Sequence, residues 1–102
     1  MKVITEGHKY IADNFENSKE GQTIQFIHKD KPNGLFEYET INDGTTNEEV
    51  LEILIDRMYY LNDKFPCREN SIAITKLEEA LMWLNKRTQD RINRGVEGKH
   101  KA

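Results

Sequence analysis

The 102-residue sequence contains a single cysteine, Cys67, which excludes a disulfide within the chain and a zinc knuckle built from paired cysteines. Its three histidines are scattered and do not replace the missing ligands. It has no run of about 18 apolar residues, the length that a membrane helix needs. It also begins without the apolar segment of a signal peptide. These absences predict an intracellular protein that does not span a membrane.

The common catalytic motifs are missing as well, among them the glycine-rich phosphate loops and the HExxH and GxSxG strings. The histidine nearest to Cys67 along the chain is His28, too distant in sequence to indicate a thiol–imidazole pair. We therefore interpret Cys67 as a small core residue. Glu78 and Glu79 are adjacent, so on a helix they point about 100° apart and do not form an acid–base pair. The sequence predicts no enzymatic activity, no cofactor and no metal.

Apolar residues are scarce and the charge is unevenly distributed. The AVILMFWYC set makes up 36% of the chain and charged residues 32%, with a mean hydropathy of -0.82. So thin a core in one small domain predicts self-association. Residues 1–84 carry a net charge of -7, from 9 basic and 16 acidic residues, whereas residues 85–102 carry +4, from 6 and 2. This pattern favours either a small anionic partner or a solvated basic tail over a duplex nucleic acid, which needs a wider basic face.

The first 45 residues predict an arm followed by a β-hairpin. Within residues 1–21, Tyr10, Ile11 and Phe15 have helical spacing, so we expect a short helical turn or arm there. Residues 23–28 and 35–41 alternate in polarity and are rich in β-formers. The intervening Asp30-Lys-Pro-Asn-Gly34 is typical of a turn. The sequence thus predicts a β-hairpin segment over 22–45.

Residues 46–98 predict an antiparallel helical hairpin. Thr46 and Glu49 form a capping-box pattern, Asn70 or Ser71 could cap a second helix, and Gly95 is placed to end it. Each helix has an apolar stripe, comprising Val50, Leu54, Met58, Leu61 and Phe65 in the first, and Ile74, Leu77, Leu81, Leu84 and Thr88 in the second. The fold class that follows is α+β, in a single domain over 1–102 and an oligomeric state.

Basic and aromatic residues are the candidate ligand-binding groups. Arg87, Arg91 and Arg94 recur every three or four residues, so on a helix they reach one patch, where guanidinium groups suit phosphates. The alternative is that they form salt bridges to the acidic first helix. Of the aromatic residues, we expect Phe65 and Trp83 to be core, while either Tyr59 or Tyr60 is accessible. An arginine patch with an accessible ring suggests a nucleotide-like ligand.

The strings CREN at 67–70, TKLEEALMWL at 75–84, RTxxR at 87–91 and RGVEG at 94–98 carry a family resemblance. This region, together with the preceding helix, resembles the helical-hairpin domain shared by phage Thoeris anti-defence proteins and phage anti-CBASS proteins. The resemblance implies a non-enzymatic sponge that sequesters cyclic nucleotide immune signals in the cytoplasm of the infected bacterial host. The β-hairpin ahead of the helices resembles the Thoeris branch, which implies a cyclic ADP-ribose isomer of the gcADPR type as ligand.

The resemblance also implies site residues. The family's ligand-binding asparagine matches Asn70, its paired arginines match Arg87 and Arg91, and its aromatic residue matches Tyr60. The sequence departs from the family at Leu61, where a glutamine is expected, so the resemblance is weaker at the adenine end of the pocket than at the phosphate end.

Asn70 and Arg87 lie about 25 Å apart along one helix, at roughly 1.5 Å per residue. The site therefore requires two antiparallel chains, and the resemblance also implies dimers or larger assemblies. Alternative functions are a sponge for cyclic di- or trinucleotides, a small nucleic-acid-binding regulator and a hydrolase acting on the signal.

Overall fold

A computed structural model describes residues 1–17, 19, 21–31 and 37–95 of the chain. The chain divides into two compact units, Met1–Thr46 and Asn47–Ala102. The first contains β-strands and the second contains two helices. The predicted α+β class is therefore confirmed, with antiparallel strands preceding a helical hairpin.

The strands of the first unit form two small antiparallel sheets. One has the order β1-β2-β3, built from β1 Lys2–Thr5, β2 Lys9–Ala12 and β3 Gln22–Gln25. The other pairs β4 His28–Asp30 with β5 Glu39–Asn42. The predicted β-structure of 22–45 is thus present, but the stretch 23–28 is divided between the two sheets. The predicted turn at 30–34 and the start of its second strand lie mainly outside the described residues.

The predicted helical turn in residues 1–21 is wrong, because β1 and β2 form a β-hairpin there. The β-branched run Val3-Ile4-Thr5 favours an extended chain, and Gly7, at φ 78°, supplies the left-handed residue that the tight turn requires. Phe15, which suggested a helical stripe, is fully exposed.

Backbone contacts fasten the two sheets of this unit to each other. The Phe26 amide donates to the His8 carbonyl oxygen (2.7 Å), and the Thr45 amide donates to the Gln25 carbonyl oxygen (2.8 Å). The imidazole rings of His8 and His28 stack with centroids 3.7 Å apart and planes 9° from parallel. The chain at Gly44 passes so close to β3 that an added Cβ would lie 2.3 Å from the Gln25 carbonyl oxygen.

The second unit is the predicted helical hairpin. Helix α1 runs from Asn47 to Lys64 and packs against α2, which runs from Arg68 to Asn93. The helices begin and end close to the predicted positions, and Gly95, at φ 69°, follows the C-cap as expected. Residues 96–98 of the predicted hairpin lie outside the described part of the chain.

The apolar stripe of α2 lies where its spacing predicts, although the core is thin. Ile74 is the buried hydrophobic residue among those the structure describes, at 4% exposure, and Leu77, Leu81, Leu84 and Thr88 are half-buried. Two aromatic predictions are wrong, because Phe65 (76%) and Trp83 (61%) are exposed in this single chain. Phe65 follows the end of α1, and Trp83 lies one position off the stripe, about 100° around the helix.

We predict that Gly44→Ala destabilises the first unit by about 1–3 kcal/mol, because the new methyl group meets a backbone oxygen that cannot move without breaking the Thr45–Gln25 bond. Gly7→Asn is the control, since a Cβ there meets nothing within 4 Å and asparagine tolerates positive φ. Urea unfolding monitored by circular dichroism measures both. Equal effects of the two changes would contradict the close approach at Gly44.

Candidate functional site

The connecting end of the helical hairpin holds two of the four predicted ligand residues. Tyr60 lies in the last turns of α1, four residues before its end at Lys64. Asn70 lies in the first turn of α2, which begins only four residues after α1 ends. The short connection therefore brings an aromatic ring and a carboxamide to the same end of this unit.

Tyr60 offers an accessible ring with a positive charge beside it. Its side chain is 59% exposed, and the Lys64 ammonium nitrogen lies 5.1 Å from the ring centroid. This distance is within the range of a cation–π contact. Tyr59 is also exposed, so both tyrosines are accessible where the sequence required only one. An exposed ring next to a cation suits a flat, anionic ligand.

Asn70 is half-buried, and its backbone amide is held by Cys67. Cys67 is the N-cap of α2, and its sulfur accepts a hydrogen bond from the Asn70 amide (3.4 Å). The prediction that Asn70 or Ser71 caps this helix is therefore wrong, since the helix begins earlier, at Arg68. The interpretation of Cys67 as a core residue is wrong too, because its side chain is exposed.

The two predicted arginines lie near the other end of α2 and differ in environment. Arg87 is exposed, whereas Arg91 is buried, at 5% exposure. Arg91 continues the 3-4-3-4 spacing of the apolar stripe, three residues beyond Thr88, so the heptad pattern could have signalled its burial. The expectation that the arginines reach one patch stays a prediction, and the structure adds that the two differ in exposure. Arg94 is the C-cap residue of α2 and is exposed.

The acidic residues of α1 do not neutralise Arg87. Within the described residues, Arg87 has no ion-pair partner, whereas Lys76 on the same helix pairs with Glu79 and Lys86 pairs with Asp90. The salt-bridge alternative therefore fails for Arg87. Its guanidinium group remains available to an anion in this single chain.

Polar contacts join α1 to α2 next to the candidate residues. The Tyr59 hydroxyl donates to the Glu78 carboxylate (2.8 Å). This hydrogen bond to the carboxylate, with some desolvation, raises the pKa of Tyr59 above its ordinary value of 10.0. Asn62 bonds the connection between the helices and the first turn of α2. Sequence analysis did not single out Asn62, whose only signal was its position beside the predicted turn.

The described part of the chain offers neither a metal site nor a membrane-spanning helix. Among the described residues, no three histidine, cysteine, aspartate or glutamate side chains lie close enough together to hold a metal ion. None of the described helices is long and apolar enough to cross a bilayer.

The fold and this site define a class of protein, namely a helical-hairpin domain preceded by a small antiparallel β unit. The model of the Acb2/Tad1 hairpin domain matches residues 22–89, and the chain belongs to that family. It is also 59% identical, over 59 residues, to Thoeris anti-defense 1 of Bacillus phage SBSphiJ7. That match covers 57% of this chain and 42% of the relative, so it spans less than half of the relative's length.

The comparisons confirm the resemblance found in the sequence. They cover Tyr60, Asn70 and Arg87 within the family match, while Arg91 lies two residues beyond it. The roles of these four residues stay predictions.

We predict that Glu78→Gln shifts the ionisation of Tyr59 back toward that of an ordinary tyrosine. A raised folded-state pKa stabilises the fold at pH values below 10, and this contribution disappears as the pH rises through the folded-state pKa. The hydrogen bond to the Glu78 carboxylate is the main cause of the raised Tyr59 pKa, and the substitution removes that carboxylate. Ultraviolet titration of tyrosinate measures the change, with Glu79→Gln as the matched control because Glu79 pairs with Lys76 instead. Coincident titration curves for all three proteins would contradict the Tyr59–Glu78 contact.

Proposed function

We propose that this protein binds a cyclic ADP-ribose isomer of the gcADPR type and sequesters it without cleavage. In the cytoplasm of an infected bacterial host, this would withhold the signal from Thoeris defence. The family match and the Thoeris anti-defense relative support an anti-defence role. The observation that carries the proposal is the arrangement of the four residues, an aromatic–amide pair at one end of the hairpin and an arginine pair toward the other.

Each residue has a chemical role in this proposal. The exposed Arg87 fork binds the pyrophosphate in a bidentate manner, and Arg91 lies one turn further along α2. Asn70 recognises a hydroxyl or a base edge, since its side chain can both donate and accept. Tyr60 stacks on a ring of the ligand, and the ammonium of Lys64 adds positive charge beside it.

Two copies of the chain complete the site. Helix α2 is continuous from Arg68 to Asn93, so Asn70 and Arg87 lie about 25 Å apart on one chain. Antiparallel packing of two helical units brings Tyr60 and Asn70 of one copy to Arg87 and Arg91 of the other. Apolar side chains exposed on this unit support such packing; they include Ile53, Phe65, Ile72, Met82 and Trp83.

A cyclic di- or trinucleotide is the second candidate ligand. The family model that matches this chain joins Acb2 with Tad1, and the resemblance to anti-CBASS proteins implies such ligands. Arginine forks would bind their phosphates in the same way. A cyclic oligonucleotide is therefore the comparison ligand in the tests that follow.

We predict that the protein retains gcADPR through removal of free ligand and releases it intact on heat denaturation. The reason is that sequestration needs tight binding but no bond cleavage. Mass spectrometry of the released material distinguishes the outcomes. Recovery of a cleaved product would establish a hydrolase, and recovery of a cyclic oligonucleotide alone would favour the second candidate.

The arginine variants test how the ligand is held. Arg87→Ala should weaken binding by about ten- to a hundredfold, because one charge-assisted contact contributes roughly 1.5–3 kcal/mol. Lys86→Ala is the matched control, since it removes a neighbouring exposed charge that pairs with Asp90. Arg91→Lys is preferable to alanine at the buried position, because it keeps the charge and the aliphatic stem but loses the planar fork.

We predict that ligand binding requires at least a dimer, because Asn70 and Arg87 lie about 25 Å apart along α2. Light scattering measures the oligomeric state over a dilution series, and calorimetric titration measures the ligand affinity at the same concentrations. Affinity should fall as the protein dissociates, and the ligand should promote association. A monomer that binds one ligand tightly at every concentration would contradict the shared site.

A further inference from the structure

One side chain of α1 fastens the connection that precedes Asn70. The Asn62 carboxamide oxygen accepts a hydrogen bond from the Cys67 amide (3.1 Å). Its nitrogen donates to the Ser71 hydroxyl (3.4 Å). Asn62 is half-buried, and it bonds both to the connection and to the first turn of α2. The Asn62 carboxamide therefore holds the start of α2 in place against α1.

Cys67 transmits that anchoring to Asn70. Its backbone is extended, at φ -152° and ψ 158°, and its sulfur accepts from the Asn70 amide. This is the bond that an N-cap serine or threonine makes to the third residue of a helix. The Cys67 carbonyl oxygen also accepts from the Ser71 amide (3.2 Å). Asn70 thus lies between two residues that Asn62 holds, and its own amide is held by the cap.

Asn62 lies close to both predicted ligand residues at this end of the hairpin, because it is near Tyr60 along α1 and is bonded to the residues on either side of Asn70. Tyr60 precedes Asn62 by two residues on α1, and Asn70 follows Cys67 by three. A rotation or slide of α1 against α2 would separate the ring from the carboxamide. The thiol sulfur of Cys67 is a weak acceptor, so the cap alone is a loose restraint and the hydrogen bonds of the Asn62 carboxamide add to it.

We propose that Asn62 and Cys67 are positioning residues that hold the Asn70 side chain in register with Tyr60 for ligand binding; this inference rests on the proposed function. They act through Asn70 and do not touch the ligand. All of these bonds join residues of the chain itself, so they organise the amide end of the site independently of the ligand. Pre-organisation of this kind improves affinity by reducing the ordering cost of binding.

The test compares removal of each contact with its partial restoration. Asn62→Ala and Cys67→Ala should weaken gcADPR binding by about five- to thirtyfold, the effect of losing one positioning contact. Asn62→Asp keeps the acceptor for the Cys67 amide and Cys67→Ser keeps a cap acceptor, so both should bind nearly as well as the wild type. Asn85→Ala is the matched control, because Asn85 is an exposed asparagine in the middle of α2.

A second measurement does not depend on the ligand. Hydrogen exchange of the Asn70 amide in the ligand-free protein should be faster in both alanine variants, and near the wild-type rate in the serine, aspartate and Asn85 variants. Lower melting temperatures in the alanine variants with unchanged affinity and unchanged Asn70 exchange would overturn the inference, since the contacts would then be merely structural. If an alanine variant does not fold, Cys67→Ser and Asn62→Asp provide the test. An affinity or an Asn70 exchange rate far from the wild-type value in both of these variants would also overturn the inference.

Failure of the proposed function is distinguishable from failure of this inference. A wild-type protein that binds no gcADPR overturns the function, and the exchange comparison alone then decides whether Asn62 and Cys67 hold Asn70. Wild-type binding with affinity and exchange unaffected in both alanine variants keeps the function and overturns the positioning role.

Discussion

The small amount of apolar surface that the chain buries by itself is the constraint on which its other features depend. Among the described residues, Ile74 is the buried hydrophobic side chain, and the rest of the α2 stripe is half-buried. A two-helix contact of this kind cannot define the mutual register of its helices by packing alone. Side-chain hydrogen bonds across the hairpin take over that role at the connecting end, from Asn62 and Tyr59 on α1 to the facing residues of α2. The exposed apolar residues that remain support the proposed association with a second copy.

The polar contacts and the candidate site occupy the same part of the hairpin for a physical reason. Near the connection the helices end, and backbone groups there lack helical partners, so side chains must satisfy them. Asn62 and Cys67 do this for the start of α2. The arrangement leaves Tyr60 exposed and Asn70 half-buried at one end, and the middle of α2 is left to apolar packing. Arg87 and Arg91 follow only where the stripe gives way to polar residues.

The helices were predictable because their apolar spacing is long and regular, and Gly95 ends α2 where its backbone freedom is needed. The strands β1 and β2 were missed, although Val3-Ile4-Thr5 and Tyr10-Ile11 flank a glycine-containing loop, a pattern that also indicates a hairpin. A two-stranded hairpin is marginal by itself, and the third strand of this sheet, β3, pairs with β2 from ten residues further along the chain. Within the candidate site, the position of Arg87 followed from helical spacing. The burial of Arg91 and the cap at Cys67 were not predicted, because arginine and cysteine rarely fill those roles. For Arg91 the heptad spacing was an available signal, whereas the cap at Cys67 had none.

The continuity of α2 makes it a molecular ruler. Each residue inserted between Asn70 and Arg87 would move the arginines by about 1.5 Å and turn them by about 100° around the helix axis. A single insertion would therefore misdirect a guanidinium group more than it would displace it. Changes in chain length can be accommodated outside this stretch, in the loops of the β unit, without altering the distance between the two ends. Relatives that keep the same chemistry should thus vary in length elsewhere and keep sixteen residues between this asparagine and this arginine.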